Sequence, residues 1–361
     1  MPEASAPTPW LLRWQGLLGG SSAQQHRLST LAGLVLILLL GFLPVLTRAG
    51  LGLIVLACGA LWVLWSLTRA PGRIGPISGW VLLFLAVAVL ATGVSPVPVA
   101  AAKGLVKLIS YLGVYALMRQ LLAEAPQWWD RLVAALLGGS LLSSVLALRQ
   151  LYGPTEELAR WADPNSVAEG TIRIYGPLGN PNLLAGYLVP ILPIAMVAML
   201  RWRGWGSKLY AAAALVLGTA STLFSYSRGG WLGMLAALGV LMLLLVLRQI
   251  RHWPLLWRRL LPLALLVLAG VAIAFAATQV EPIRTRVASL LAGRGDSSNN
   301  FRINVWLAAI DMIQDRPWLG IGPGNAAFNS IYPLYQQPKF NALSAYSCLL
   351  YTSDAADEIV R

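Results

Sequence analysis

Long apolar runs separated by short polar segments dominate this chain. A transmembrane helix needs about 20 mostly apolar residues, and nine runs approach that length. A turn with the sequence SPVP separates the third run from the fourth. The predicted spans are approximately Leu28–Leu46, Gly50–Leu67, Gly79–Val94, Ala100–Leu121, Leu132–Leu151, Asn182–Leu200, Leu209–Phe224, Gly230–Leu247 and Leu260–Ala277. The pattern therefore predicts an all-α polytopic membrane protein with about nine transmembrane helices.

Composition agrees with this pattern. Hydrophobic residues make up 57% of the 361 residues and charged residues 11%, whereas a soluble domain averages about 25% charged residues. The net charge of +13 does not indicate nucleic-acid binding, because the basic residues form short clusters between apolar runs. Such clusters are typical of membrane topology. The expected partner is the lipid bilayer, and no nucleic acid is expected.

The distribution of Lys and Arg predicts the orientation. Short loops on the N-terminal side hold thirteen of them, and the short loops opposite hold three. The positive-inside rule therefore predicts a cytoplasmic N-terminus. The predicted organisation is a cytoplasmic tail over residues 1–27, a helix bundle over 28–277 with an outer loop at 152–181, and an extracytoplasmic helical loop subdomain over 278–347. Residues 348–361 are polar and acidic, and we interpret them as a truncated or non-native end.

The stretch Phe301–Phe328 predicts an amphipathic helix followed by a glycine-rich turn. Pro317 ends the predicted helix, and Gly320, Gly322 and Gly324 allow backbone geometry closed to other residues. One face of the helix carries Ile303, Trp306, Leu307, Ile310 and Ile313, and the other carries Asn304, Ala308, Asp311 and Asp315. The turn is either structural or a backbone-amide nest for an anion. No βαβ unit surrounds it, so a nucleotide loop is excluded.

Arg228 lies in the segment Ser225–Gly230, at the outer junction of two predicted spans. An arginine there can extend its guanidinium to the membrane interface, or it can hold a phosphate or carboxylate through two parallel hydrogen bonds. Ser227 adds a hydroxyl, and the following glycines let a ligand approach the backbone. These neighbours favour an anion-binding role.

The start of the sixth predicted span is a second candidate. Asn180 and Asn182 flank Pro181 there, a pattern that predicts Asn180 as the N-cap and Pro181 near the first helical position. A helix N-terminus attracts anions, and Arg173 is close enough in sequence to contribute. The pair Lys103 and Lys107 is either a set of interface anchors or part of a binding site, whereas the basic loop Arg248–Arg259 favours an anchor at the anionic cytoplasmic leaflet over a binding site.

The candidate acid–base groups are few. Both histidines, His26 and His252, lie on the predicted cytoplasmic side. A general base on the outer side would have to be a carboxylate, and the candidates are Glu281, Asp311 and Asp315. The two cysteines, Cys58 and Cys348, have neither a disulfide pattern nor a metal-ligand spacing. We expect no metal and no cofactor.

These motifs together resemble the O-antigen ligase/polymerase superfamily (Wzy_C-like) of bacterial membrane proteins. The similarity rests on GPLGNPNLLAGYL at Gly176–Leu188, SYSRGGWLG at Ser225–Gly233 and the stretch Phe301–Phe328, in that order. Together with NALSAYS at Asn341–Ser347, the sequences of these motifs are most similar to those of the cyanobacterial IctB-like branch, whose name implies bicarbonate transport. The resemblance covers about Lys103 to Ser347.

The resemblance implies a multi-pass protein of the bacterial inner (plasma) membrane. Ligases of this superfamily move a glycan from undecaprenyl pyrophosphate to an acceptor on the outer face, without a metal. Outer arginines hold the pyrophosphate, and Arg228 and Arg302 match those positions. The ligases also carry an outer histidine as base, expected here near Ala345–Tyr346, where this chain has the sequence SAYS.

Three functions stay open from the sequence. The chain is a ligase-like protein that binds or transfers an undecaprenyl-pyrophosphate-linked glycan, a bicarbonate transport-related protein, or a non-catalytic membrane partner. The motifs and the basic outer loop favour the first, and the missing histidine opposes glycan transfer. The second rests on the resemblance alone, because no broken helix or buried charge pair is visible in the predicted spans.

Overall fold

The computed structural model describes residues 22–68, 75–153, 173–250 and 297–336, with the isolated residues 254, 256 and 260. Within these ranges the chain is helical and has no β-strand. The ninth predicted span, most of the outer loop 152–181, the segment with Glu281, and the tail 348–361 lie outside the described residues.

Eleven α-helices occupy the described ranges. They are α1 Ser22–Phe42, α2 Arg48–Leu67, α3 Pro76–Gly93, α4 Pro98–Glu124, α5 Trp128–Arg149, α6 Pro181–Leu188, α7 Ile191–Arg201, α8 Trp205–Phe224, α9 Arg228–Gln249, α10 Ser297–Asp315 and α11 Asn325–Tyr335. Short 3₁₀ helices at Gln150–Tyr152 and Gly176–Leu178 flank the gap between α5 and α6.

By length and composition, eight helices in the described part of the chain can cross a membrane, with α6 and α7 counted as one span. Each overlaps one of the first eight predicted spans, so the chain is a multi-pass membrane protein. The observed helix boundaries differ from the predicted span boundaries where a proline begins or ends a helix. Three helices begin at Pro76, Pro98 and Pro181, because proline suits the first helical turn, and α1 ends at Phe42 because Pro44 cannot continue it.

The chain forms two compact units. The first comprises residues 1–132 and 304–361, and the second residues 133–303. In the first unit α1, α2 and α4 pack around buried apolar side chains that include Leu36, Trp65 and Leu117. Gly33 is essential to this core, because a Cβ there would overlap the ring of Trp128.

The second unit packs α5 against α7 and α8 through small residues. Leu137, Ala195 and Ala211 are buried together, and small residues let membrane helices approach closely. Tyr210 on α8 donates its hydroxyl to the Ala134 carbonyl on α5 at 2.7 Å. A second cluster, formed by Ala147, Ile174, Leu184 and Leu188, lies where α6 begins and supports the segment that carries Arg173.

The sixth span bends but does not unwind. Between α6 and α7, Val189 and Pro190 both keep right-handed helical angles, and the Val189 amide still donates to the Ala185 carbonyl at 2.9 Å. Proline removes one backbone donor and bends the helix there. The interruption is a proline kink, which leaves no unwound backbone for ion coordination.

Candidate functional site

Two helices begin next to each other at one end of the second unit, and the polar residues around them form the candidate site. Asn180 is the N-cap of α6, and its side-chain oxygen accepts from the Asn182 amide at 2.8 Å. Ser227 is the N-cap of α9, and its hydroxyl accepts from the Gly230 amide at 3.2 Å. Pro181 occupies the first turn of α6, where its missing N–H costs nothing.

One oxygen joins the two helix starts. The Oδ1 atom of Asn182 accepts from the Ser227 hydroxyl at 2.9 Å and from Nη2 of Arg173 at 3.2 Å. The Nε atom of Arg173 donates to the Ser225 carbonyl at 3.1 Å. Arg173, Asn182 and Ser227 therefore form one connected polar cluster, hereafter the Arg173–Asn182–Ser227 cluster.

The close approach of α6 and α9 requires a glycine. A Cβ at Gly230 would lie 2.5 Å from the Cβ of Ala185. Gly230, the second glycine of the SRGG motif, therefore lets α9 pack against α6 while Ser227 reaches Asn182. This is a packing reason for a residue that the sequence suggested as a point of ligand approach.

Arg228 is the first residue of α9 and directly follows the N-cap. Its exposed fraction is 8%, close to that of Ser227 at 5% and Asn180 at 3%. A buried guanidinium needs hydrogen-bonding or anionic partners. Residues 133–153 and 173–250 contain no Asp or Glu, so the charge in these segments is entirely basic.

The charges and helix dipoles at the end of the second unit where α6 and α9 begin favour the binding of an anion. Each helix N-terminus carries the equivalent of about half a positive charge on its free amides, and two such termini meet at the Arg173–Asn182–Ser227 cluster. Arg173 and Arg228 add two guanidinium groups. Asn180 adds a buried Nδ2 donor that has no hydrogen-bond partner among the described residues. An oxygen-rich anion matches this set of donors.

Tyr226 joins α8 to α9 in a strained conformation. Its φ angle is +48°, a region that non-glycine residues rarely occupy. Its ring packs on Trp231 with the centroids 5.9 Å apart, and the Trp231 indole donates to the Leu223 carbonyl at 3.1 Å. These contacts hold the turn that places Ser227 and Arg228 side by side.

Sequence reasoning missed Gln150. Its Oε1 atom accepts from the amides of Tyr175 and Gly176 at 3.0 and 2.9 Å, so the 3₁₀ helix that follows α5 positions the segment that carries Arg173. No local pattern identifies this glutamine, because its partners lie 25 and 26 residues away.

The glycine-rich turn between α10 and α11 packs on α4 within the first unit. A Cβ at Gly104 would overlap the Pro323 carbonyl, and a Cβ at Gly324 would lie 2.6 Å from the Gly104 Cα. Gly320, Gly322 and Gly324 all have positive φ, as expected from the sequence. The Ser95 hydroxyl also donates to the Ile321 carbonyl at 2.6 Å. Close packing on α4 and on Ser95 thus explains Gly322 and Gly324, positive φ explains Gly320, and the anion nest stays a prediction.

The packed face of α10 differs from the apolar face that the sequence shows. Apolar faces of surface helices normally turn inward, yet Trp306, Ile310 and Ile313 are exposed. The buried side consists of Val305, Ala308 and Met312, with Asn304 beside them. The helix begins at Ser297, earlier than the predicted Phe301, and ends at Asp315, two residues before Pro317.

Arg302 is half-buried in the second turn of α10. The hydrogen bonds described for the Arg173–Asn182–Ser227 cluster do not involve Arg302. Its pairing with Arg228 in one anion site therefore remains a prediction. Lys103 and Lys107 are both exposed on α4, and their role likewise remains a prediction.

The candidate carboxylates on α10 are both exposed. Asp315 accepts a hydrogen bond from the Tyr335 hydroxyl at 2.6 Å, which joins α10 to α11. This hydrogen bond raises the pKa of Tyr335 above its ordinary value. Among the residues that the structure describes, no group of three or more His, Cys, Asp or Glu side chains could hold a metal ion.

Comparison with known proteins adds one match. Residues 211–346 match the family model described as O-antigen ligase, which supports the superfamily resemblance for that part of the chain. The matched region includes most of α8 and all of α9, α10 and α11, with Arg228 and Arg302. It begins after Asn182, later than the Lys103 predicted from the motifs, and it does not support the IctB-like branch. No curated protein and no solved structure matches the chain.

Proposed function

We propose that this membrane protein binds an undecaprenyl-pyrophosphate-linked glycan on the outer face of the bacterial inner membrane, as an O-antigen ligase-like protein of the IctB-like branch. The observation that carries the proposal is the junction of two helix N-termini bridged by the Asn182 side chain. Arg173 is part of that bridge, and Arg228 stands directly beside it. The O-antigen ligase match over α8 to α11 supports the same substrate class.

In this proposal, each group at the junction has a separate role. Arg228 is the principal pyrophosphate ligand, because a guanidinium can form two parallel hydrogen bonds to phosphate oxygens. Arg173 is a positioning residue that orients Asn182 and contributes charge. The N–H groups at the starts of α6 and α9 and the Asn180 Nδ2 group donate hydrogen bonds to the remaining oxygens. Arg302 joins the site from α10.

Transfer of the glycan would need a base that takes the proton from the acceptor hydroxyl. The superfamily histidine is replaced here by the SAYS sequence. Asp311 and Asp315 are the described carboxylates on the predicted outer side, and Asp315 already accepts a hydrogen bond from Tyr335. Asp311 is therefore the better candidate for the base if the protein is an enzyme.

A binding experiment tests the proposal. Purified full-length protein in nanodiscs is titrated with undecaprenyl pyrophosphate, and binding is compared between wild type and the double variant Arg228→Ala with Arg302→Ala. We expect wild-type binding and at least a roughly tenfold loss in the double variant, since each lost charge-assisted hydrogen bond is worth about 1.5–3 kcal/mol. Arg201→Ala is the matched control, because Arg201 ends the sixth span at the opposite end from Asn180.

Two outcomes contradict the proposal. Wild-type protein that does not bind the lipid contradicts the glycan function, and an equal loss in Arg201→Ala assigns the effect to general charge. Uptake of isotopic bicarbonate by proteoliposomes tests the alternative function in transport, which would use the same anion-binding groups. Uptake without lipid binding would replace the glycan function with transport.

A further inference from the structure

The helix α10 has three distinct faces, and among the residues that the structure describes only one of these faces is buried. Val305, Ala308 and Met312 recur at helical spacing on the buried side. Asp311, Gln314 and Asp315 are exposed on a polar side. Between them lies a third, apolar side formed by Trp306, Ile310 and Ile313, with exposed fractions of 64%, 48% and 61%.

The turn after α10 continues this exposed apolar surface. Trp318 follows Pro317 and is 93% exposed. The surface formed by Trp306, Ile310, Ile313 and Trp318 is hereafter the α10 apolar face. Tryptophan is enriched where a protein meets the boundary between lipid headgroups and acyl chains.

The position of the turn relative to a membrane span is set by direct contacts. The backbone at Pro323 and Gly324 touches Gly104, and the Ile321 carbonyl accepts from Ser95. Ser95 and Gly104 flank the start of α4, which is a candidate membrane span. The turn therefore packs on the first two turns of α4, at the end where this candidate span begins.

Exposed apolar residues of α4 occur at the same level. Val99 in its first turn is 74% exposed and Val106 is 62% exposed, as expected for side chains that face lipid. A helix tied to this level, with a polar side and a separate exposed apolar side, has the composition of an interfacial amphipathic helix. Lipid at the membrane boundary is the occupant that agrees with all of these observations.

We propose that the α10 apolar face inserts into the boundary between headgroups and acyl chains of the leaflet in which α4 begins, so that α10 is a membrane-interface helix. This inference depends on the exposed side of α10 and on the contacts that the following turn makes with α4, and it is independent of the glycan proposal.

Site-directed spin labelling tests this inference on the full chain. Cys58→Ala and Cys348→Ser remove the native thiols, and single cysteines are introduced as Trp306→Cys, Ile310→Cys and Ile313→Cys. The labelled protein is reconstituted in vesicles of phosphatidylethanolamine and phosphatidylglycerol. Collision of the label with oxygen, which concentrates in lipid, is compared with collision with a water-soluble nickel chelate. Asp311→Cys and Gln314→Cys on the polar side are the matched controls.

We expect a several-fold higher oxygen-to-nickel collision ratio at 306, 310 and 313 than at 311 and 314. Equal ratios on both sides would place the apolar face in water and overturn the proposal. Low collision with both reagents at 306, 310 and 313 would show protein cover and would also overturn it. Trp318→Cys lies in the turn, outside the helix, and provides the same readout if a helix position disturbs folding.

Discussion

Oδ1 of Asn182 joins the two helix starts at the candidate site, because it accepts hydrogen bonds from Ser227 and Arg173. An amide oxygen is neutral, so it aligns both donors without cancelling the positive charge around it. A carboxylate in the same place would keep both hydrogen bonds and add a negative charge. Asparagine is therefore the residue that serves structure and anion binding together.

This difference separates an anion site from a purely structural junction. We expect Asn182→Asp to weaken binding of undecaprenyl pyrophosphate by about tenfold or more, because a fixed charge near the ligand costs at least about 1.4 kcal/mol. The melting temperature should stay the same or rise, because a carboxylate in the first turn of a helix is favourable. Lipid titration and thermal unfolding in nanodiscs measure the two effects.

Asn182→Ala is the companion variant. It removes the shared acceptor, so both the melting temperature and the affinity should fall. Unchanged affinity in Asn182→Asp, with Asn182→Ala destabilised, would show that the junction holds the helices together and binds no anion there.

At the scale of the elements, the contact between α4 and the glycine-rich turn is the most sensitive to volume. We expect Gly104→Ala to destabilise the first unit by about 1–3 kcal/mol, because a methyl group there meets the Pro323 carbonyl and overpacking costs that much. Thermal unfolding in nanodiscs measures the loss. Gly52→Ala in α2 is the control, since a Cβ at Gly52 has no neighbour within 4 Å.

In the control, alanine should be neutral or stabilising by up to about 1 kcal/mol, because glycine is the poorer helix former. Equal effects of the two substitutions on thermal stability would mean that the turn does not pack against Gly104.

The helices themselves were predictable, but the packed face of α10 was not. Apolar runs of membrane length identified eight spans, because the bilayer imposes one simple requirement on composition. Periodicity in α10 showed the side with Trp306 and Ile310 as the apolar one. It could not show which side packs on protein, because lipid and a protein core select the same residue types. Val305, Ala308 and Met312 were distinguishable only by their contacts.

The candidate site also has features that the sequence predicted and features that it did not. The cap at Asn180 followed from local sequence, because capping depends on residues within one turn, whereas the sequence analysis treated Ser227 only as an added hydroxyl and did not predict its cap. The bridge from Ser227 to Asn182 joins residues 45 positions apart, and the support from Gln150 is also non-local. Such pairs depend on how helices pack, so the sequence indicated the members of the site but not their connections.

At the scale of the molecule, the orientation predicted from basic residues can be measured directly. Tyr152 and Trp205 are 92% and 89% exposed. They lie at opposite ends of the second unit: α8 begins at Trp205 and ends near the Arg173–Asn182–Ser227 cluster, and Tyr152 follows α5 at the end that holds this cluster. In intact spheroplasts, we expect a membrane-impermeant maleimide to label Tyr152→Cys and to spare Trp205→Cys until the membrane is opened. Both variants carry Cys58→Ala and Cys348→Ser.

Labelling in the reverse pattern would place the candidate site on the cytoplasmic side. It would contradict the positive-inside prediction and, with it, an outer-face glycan substrate. Labelling of neither position before permeabilisation would likewise contradict an outer position for Tyr152.

The first unit is assembled from two separate parts of the sequence, residues 1–132 and 304–361. During translation, the ribosome must add about 190 residues after Leu132 before Gly324 exists, which takes roughly 10–40 s at 5–20 residues per second. For that interval Ser95 and Gly104 on the nascent chain lack their final partners. The surface of α4 that later receives the turn is then open to insertion factors and to membrane proteases.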